Sequence, residues 1–106
     1  MKHWIWISFD LGVKGDYEGM YKWLDEHDAR ECGDSMAGLR YEYSGDLIDS
    51  LKRDLQDNVE FTSKSRVYVI RLLEGKMKGR FIFGGRRSAP WSGYAESRDQ
   101  EEDIGG

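Results

Sequence analysis

The chain has 106 residues, of which 34% are charged and 39% hydrophobic, and it carries a formal net charge of −4. A chain of this length fits one domain with a single core. Cys32 is the only cysteine, which excludes an intramolecular disulfide and a cysteine-rich zinc site. No apolar run reaches the roughly 18 residues of a membrane-spanning helix, and the N-terminal pattern is not that of a secretion signal. The sequence therefore predicts a cytoplasmic protein.

Charge is distributed unevenly along the sequence. Residues 1–63 hold 7 basic and 14 acidic residues, a net charge of −7. Residues 64–87 hold 8 basic residues and 1 acidic residue, a net charge of +7, and residues 88–106 hold 1 basic and 5 acidic residues. Such segregation indicates a positive surface for an anionic partner, or internal pairing of the basic segment with the acidic helices.

The first half of the chain predicts a strand, a helix and further strand structure. Residues 4–11 alternate as in a strand, with Ile5, Ile7, Phe9 and Leu11 on one face and Trp4, Trp6, Ser8 and Asp10 on the other. Asp16 is the predicted N-cap of a helix that carries one apolar stripe and ends near Ala29. Residues 30–43 predict a strand pair or one long bent strand.

The second half predicts a helix and two strands. Ser44 is the predicted N-cap of the second helix. Residues 66–73 are apolar on both faces, as in an interior strand, and residues 74–79 predict a turn into a strand over residues 80–83. The domain is predicted to cover residues 1–94, followed by an acidic, disordered tail over residues 95–106.

This order of elements predicts an α+β fold, a ferredoxin-like sandwich in which an antiparallel sheet carries two helices on one face. Trp4 and Trp6 then fall on the face that the helices leave open. Because two tryptophans are rarely left in water, we expect either a second subunit of a homodimer or the loop with Trp91 and Tyr94 to cover them. An exposed aromatic face flanked by cations is also how many small RNA-binding domains stack bases.

The basic residues of the last strands predict a phosphate site. In the run Gly84-Gly85-Arg86-Arg87, the glycines let backbone N–H groups turn inward and the arginines offer bidentate forks for phosphate. The same run also suits an ordinary solvated turn. The predicted nucleic-acid-binding residues, for RNA or DNA, are Lys76, Lys78, Arg80, Arg86 and Arg87.

Asp10 ends the first predicted strand on the face of the tryptophans. A carboxylate there can bind Mg²⁺ through one or two oxygens while waters fill the other positions, or it can be a simple hydrogen-bonded strand end. A catalytic Asp10 would position Mg²⁺ to stabilise the charge of a phosphodiester transition state and to activate a water. Asp10 is therefore the predicted catalytic residue and metal ligand, with Mg²⁺ as the predicted cofactor.

Three segments resemble a known group of proteins. Residues 5–10 resemble the first strand of the small CRISPR-associated ferredoxin-like proteins and of the GhoS-type antitoxins, in which that strand ends in Asp. Residues 34–39 are similar to their middle strand region, and residues 65–70 to their closing strands. The resemblance implies a homodimer, a ferredoxin-like core and metal-dependent cleavage or binding of nucleic acid, with Asp10 as the metal ligand. The chain departs from the pattern in its acidic net charge and its Gly-Gly-Arg-Arg run.

The sequence thus predicts a small nucleic-acid-associated protein that binds the phosphate backbone, and a metal-dependent endonuclease if Asp10 is catalytic. The alternative is a non-enzymatic interaction or regulatory module that presents acidic helix residues to a basic protein. A small-molecule enzyme is a third hypothesis, which would require a deep pocket lined by carboxylates with shifted pKa values. The acidic helix residues are Asp25, Glu26, Asp28, Asp49, Asp54 and Asp57.

Overall fold

A computed structural model describes residues 1–95 as a five-stranded antiparallel sheet with two helices. The strands are β1 (Lys2–Asp10), β2 (Arg30–Glu31), β3 (Met36–Glu42), β4 (Arg66–Leu73) and β5 (Lys76–Phe83), and the helices are α1 (Tyr17–Glu26) and α2 (Leu47–Asn58). The order across the sheet is β2-β3-β1-β4-β5. This α+β arrangement is compatible with a ferredoxin-like sandwich, so the predicted fold class is confirmed. The predicted tail lies outside the described residues, except for its first residue.

Alternation along β1 explains why the two faces of the sheet differ. Ile5, Ile7 and Phe9 are buried, because they point to the face that the helices cover. The helices complete the core with Met20, Trp23 and Leu24 of α1 and Leu47, Ile48, Leu51 and Leu55 of α2.

Neither helix in residues 1–95 has the length and hydropathy needed to cross a membrane.

The other side of the sheet carries no helix, and we call it the open face. From β1 it contains Trp4, Trp6, Ser8 and Asp10, which alternate with the buried residues. Cross-strand partners share a face, so the neighbours of these residues on β3, β4 and β5 also belong to it. The sequence predicts Trp4 and Trp6 on the face that the helices leave open, and they lie there in the structure.

The N-terminus of α1 explains a glycine inside a helix. Asp16 is the N-cap, as predicted, and its carboxylate accepts the N–H of Gly19 and the N–H of Glu60, both at 2.9 Å. A Cβ at Gly19 would run into that carboxylate. The glycine weakens the helix, but it makes room for a carboxylate that links α1 to the segment after α2.

The start of α2 differs from the prediction. Asp46, and not Ser44, is the N-cap, and its side chain accepts the N–H of Asp49 at 2.9 Å. Gly45 has a φ of 76°, in the left-handed region, and this turn separates Ser44 from the helix. The prediction for Ser44 was wrong because Gly45 redirects the chain before the helix begins.

The β4–β5 hairpin is tighter than predicted. Its turn consists of Glu74 and Gly75 alone, with φ values of 52° and 78°, and Leu73 pairs directly with Lys76. Positive φ at both central residues is typical of the type I′ turns that join antiparallel strands. The predicted turn over residues 74–79 was therefore too long, because Gly79 lies inside β5.

Candidate nucleic-acid interface

Two pairs of aromatic side chains lie on the open face. Trp4 and Trp6 of β1 contact each other edge to face, with ring centroids 5.9 Å apart. Tyr68 of β4 and Phe81 of β5 do the same, at 4.8 Å. Trp4 is 38% exposed and the other three are half-buried. We call these four residues the aromatic cluster, and within the described chain its outer surface stays open to solvent.

Two glycines make room for the rings of Trp4 and Tyr68, each on the strand next to the one that carries the ring. A Cβ at Gly38 of β3 would come within 2.6 Å of the Trp4 indole. A Cβ at Gly79 of β5 would overlap the ring of Tyr68. The rings of Trp4 and Tyr68 therefore occupy the space that a side chain would fill, and they lie across the backbone of the adjacent strand.

A cleft of about 400 Å³ opens at one end of the open face, and we call it the aromatic cleft. Arg86 places its guanidinium carbon 5.9 Å from the centroid of the Phe81 ring, within the range of a cation–π contact. Trp91 also lines the cleft, yet it is 75% exposed and does not cover Trp4 or Trp6. The lining residues are Ser8, Asp10, Arg66, Tyr68, Phe81, Arg86 and Trp91.

Asp10 and Arg66 form an ion pair in the aromatic cleft. They are cross-strand partners on β1 and β4, and Arg66 Nη2 donates to Asp10 Oδ2 at 3.0 Å. The N–H of Gly12 donates to Asp10 Oδ1 at 3.2 Å. These two hydrogen bonds, with the positive charges of Arg66 and Arg87, hold the pKa of Asp10 below its usual value. Asp10 is consequently a carboxylate at neutral pH.

The surroundings of Asp10 do not fit a magnesium site. Both carboxylate oxygens already accept hydrogen bonds, and the guanidinium of Arg66 would repel a cation at the same position. In the part of the chain that the structure describes, no group of three or more His, Cys, Asp or Glu side chains could hold a metal ion. The roles of Asp10 as catalytic residue and Mg²⁺ ligand stay predictions.

Three of the predicted nucleic-acid-binding residues lie away from the aromatic cluster. Lys76, Lys78 and Arg80 alternate along β5 with the open-face residues, and all three are exposed. Arg80 pairs with Val69, which is buried beneath the helices. These three side chains therefore belong to the helix side of the outermost strand, and their role in binding stays a prediction.

The other two predicted residues lie at the aromatic cleft or next to it. Arg86 lines the cleft itself. Arg87 is turned to the adjacent loop, where its Nη2 donates to the carbonyl oxygen of Lys64 at 2.8 Å. Arg66 was not among the predicted site residues, although it lies at the centre of the cleft. Only its pairing with Asp10 across the sheet could have indicated this.

One of the six acidic helix residues has a structural role. Asp54 Oδ2 accepts hydrogen bonds from Trp23 Nε1 and from the Tyr41 hydroxyl, both at 3.2 Å, and His27 Nε2 lies 3.7 Å away. Burial raises the pKa of Tyr41. Asp54 thus ties α2 to α1 and β3. The other five acids, Asp25, Glu26, Asp28, Asp49 and Asp57, are exposed.

Comparison of the chain with protein-family models, with curated proteins and with solved structures finds no match. The resemblance to the small CRISPR-associated proteins and the GhoS-type antitoxins stays a prediction that rests on residues 5–10, 34–39 and 65–70. The function has to be inferred from the chemistry of the open face.

Proposed function

We propose that the protein binds single-stranded nucleic acid on its open face, with bases stacked on the aromatic cluster and phosphates held by Arg66, Arg86 and Arg87. One observation carries the proposal: solvent-accessible aromatic rings and two guanidinium groups share the aromatic cleft. Stacking of a base on an aromatic side chain contributes about 1–3 kcal/mol, and the guanidinium fork matches a phosphate.

The proposal specifies a single strand because stacking on the aromatic cluster requires an exposed face of a base. A duplex keeps the faces of its bases stacked inside and would offer only phosphates and groove edges to such a surface. An unpaired strand can splay its bases onto the rings and leave its phosphates to the cations at the rim.

Arg66 is the cation best placed to hold a phosphate over the rings. Its Nη2 is bound to Asp10, and its Nε is buried without a hydrogen-bond partner in the described chain. A guanidinium has five N–H donors, so donors remain after the ion pair with Asp10 forms. Arg66 lines the aromatic cleft, so an anionic ligand there can bind the guanidinium through donors that Asp10 leaves free.

The proposal is tested by the fluorescence anisotropy of labelled RNA and DNA single strands of about ten nucleotides, and of a duplex, without metal. We expect the single strands to bind more tightly than the duplex. Their affinity should fall by roughly 0.7 log units per phosphate contact for each log unit of salt. No binding at low salt would overturn the proposal.

Two variants with matched controls locate the site. Tyr68→Leu removes a ring of the aromatic cluster, whereas Tyr21→Leu removes an exposed ring from α1. Loss of one stack should weaken binding by about 5- to 150-fold in the first variant and leave the second unchanged. Arg86→Gln and its control Arg53→Gln on α2 make the same comparison for charge. Equal affinities within either pair would contradict the assignment of the open face.

A homodimer through the open face is the second candidate. Leu72 and Met77 are paired across β4 and β5, and each is 57% exposed, so apolar surface continues beyond the aromatic cluster. A second copy that packed there would bury it. In that case light scattering gives a dimer mass that Met77→Glu reduces to a monomer mass, and oligonucleotide competes with the dimer. The alternative of a basic protein partner for the exposed helix acids stays a prediction.

A further inference from the structure

We infer a second binding site, a subsite for the backbone phosphates of the same strand, in a cleft of about 560 Å³ beside the aromatic cleft. This inference rests on the proposed function and extends it from Arg87 to Lys14, Thr62, Ser63 and Lys64, which have no assigned role. We call the site the basic cleft, and its polar lining residues are Lys14, Thr62, Ser63, Lys64 and Arg87.

The lining of the basic cleft suits an anion. It holds three cations and two hydroxyl groups, and none of its lining residues is a carboxylate. Lys14 and Lys64 are exposed, and within residues 1–95 neither of them forms a salt bridge. Hydroxyl donors and cations that converge on one cleft form a binding site for phosphate oxygens.

The basic cleft and the aromatic cleft are lined by three shared segments of the chain. Each segment contributes at least one residue to each cleft. A strand whose bases rest on the aromatic cluster can therefore pass its next phosphates into the basic cleft. The residues at which each segment passes from one cleft to the other are Asp10 and Leu11, Lys64 and Arg66, and Arg86 and Arg87.

The one carboxylate at this boundary is compensated. Asp10 is bound by Arg66 at 3.0 Å, and the positive charge of Arg87 contributes to its lowered pKa. Arg87 is itself fixed, because its Nη2 donates to the carbonyl oxygen of Lys64 at 2.8 Å. A guanidinium held in place before binding loses little side-chain freedom when a phosphate arrives. The carboxylate between the two clefts is therefore paired with one cation and lies near a second.

The test compares the salt dependence of binding for oligo(dT) of about three and about ten nucleotides. The variant Lys14→Gln/Lys64→Gln removes two cations of the basic cleft, and the control Lys2→Gln/Lys22→Gln removes two exposed lysines elsewhere. For the long oligomer we expect the double variant to lose about 1.4 log units of slope, because each phosphate contact contributes about 0.7. The short oligomer fills only the aromatic cleft, so its binding should be unchanged.

Each result separates the inference from the proposed function. If the wild-type protein binds the long oligomer and both double variants match it, the basic cleft is overturned while the proposed function stands. If the variant loses the same affinity for both lengths, the two clefts are not separate subsites, which also overturns the inference. If no oligomer binds the wild-type protein, both proposals are overturned. Far-ultraviolet circular dichroism checks that the variants keep the wild-type fold.

Discussion

Asp10 would weaken binding if the open face only binds phosphates, but it would be required if the protein is a metal-dependent nuclease. As the ion-pair partner of Arg66 it occupies a guanidinium and places a negative charge beside the proposed phosphates. We expect Asp10→Asn to bind oligonucleotide roughly two- to five-fold more tightly in metal-free buffer, because an exposed charge pair is worth up to about 1 kcal/mol. Anisotropy measures the affinity, and Asp34→Asn in the β2–β3 turn is the control.

Mg²⁺-dependent cleavage that requires Asp10 would favour the endonuclease hypothesis. If the wild-type protein cleaves a labelled strand only with Mg²⁺, and Asp10→Asn does not, then Asp10 is catalytic and the ion pair with Arg66 must open to admit the metal. Weaker binding by Asp10→Asn without metal would instead mean that Asp10 is needed to orient Arg66.

Asp16 predicts an acid-sensitive fold. The N–H of Glu60 and then that of Gly19 lower its pKa from the ordinary value of 3.8. A carboxyl group whose pKa is lower in the folded state contributes stability above its unfolded pKa and loses it as pH falls through its folded pKa. We expect the free energy of unfolding to fall below about pH 4, and less steeply in Asp16→Asn. Urea titrations over this range measure it, and identical slopes would contradict the assignment.

The residues of the site were only partly predictable. Trp4, Trp6 and Arg86 followed from alternation and from the charge of the last strands. Arg66 and Lys14 did not, because their positions depend on partners that are distant in sequence. Arg66 reaches the aromatic cleft through its pairing with Asp10, and Lys14 belongs to a loop that lines the basic cleft together with residues 62–64.

Among the elements, the β4–β5 hairpin shows how one turn supports the site. Glu74 and Gly75 both have positive φ, which costs a residue other than glycine about 1–2 kcal/mol. We expect Gly75→Ala to lower the free energy of unfolding by about 1 kcal/mol and Glu74→Asn to raise it, because Asn-Gly is favoured in such turns. Urea denaturation measures both, with Gly85→Ala as a control in open space. A Gly75→Ala variant as stable as the control would contradict the turn assignment.

Element types were easier to predict than their limits. Strand alternation in residues 4–11 and the apolar stripes of both helices depend on local periodicity, and these elements were correctly predicted. The sequence predicts Gly79 in a turn, but it lies inside β5, where the ring of Tyr68 occupies the space of a side chain. A glycine that serves a neighbouring strand cannot be told from a turn glycine without knowing which strands pair.

At the scale of the whole molecule, the buried residues form one cluster that joins both helices to the sheet. We therefore expect a single cooperative unfolding transition. Trp23 is only 1% exposed, so it is the natural probe once Trp4, Trp6 and Trp91 are replaced by Phe. Its fluorescence and far-ultraviolet circular dichroism should give the same midpoint in urea. Two separated transitions would show that the sheet and helices unfold independently.

The position of β5 at the edge of the sheet means that its basic residues also affect how two copies of the chain can pair. β5 is the last strand of the sheet, and no other described strand pairs with its outer edge. Such an edge exposes backbone N–H and C=O groups on which a further chain could add a strand and begin a fibre. Lys76, Lys78 and Arg80 give this edge like charges that repel the same edge of another copy. We therefore expect these charges to disfavour edge-to-edge aggregation in a concentrated solution, whatever the open face binds.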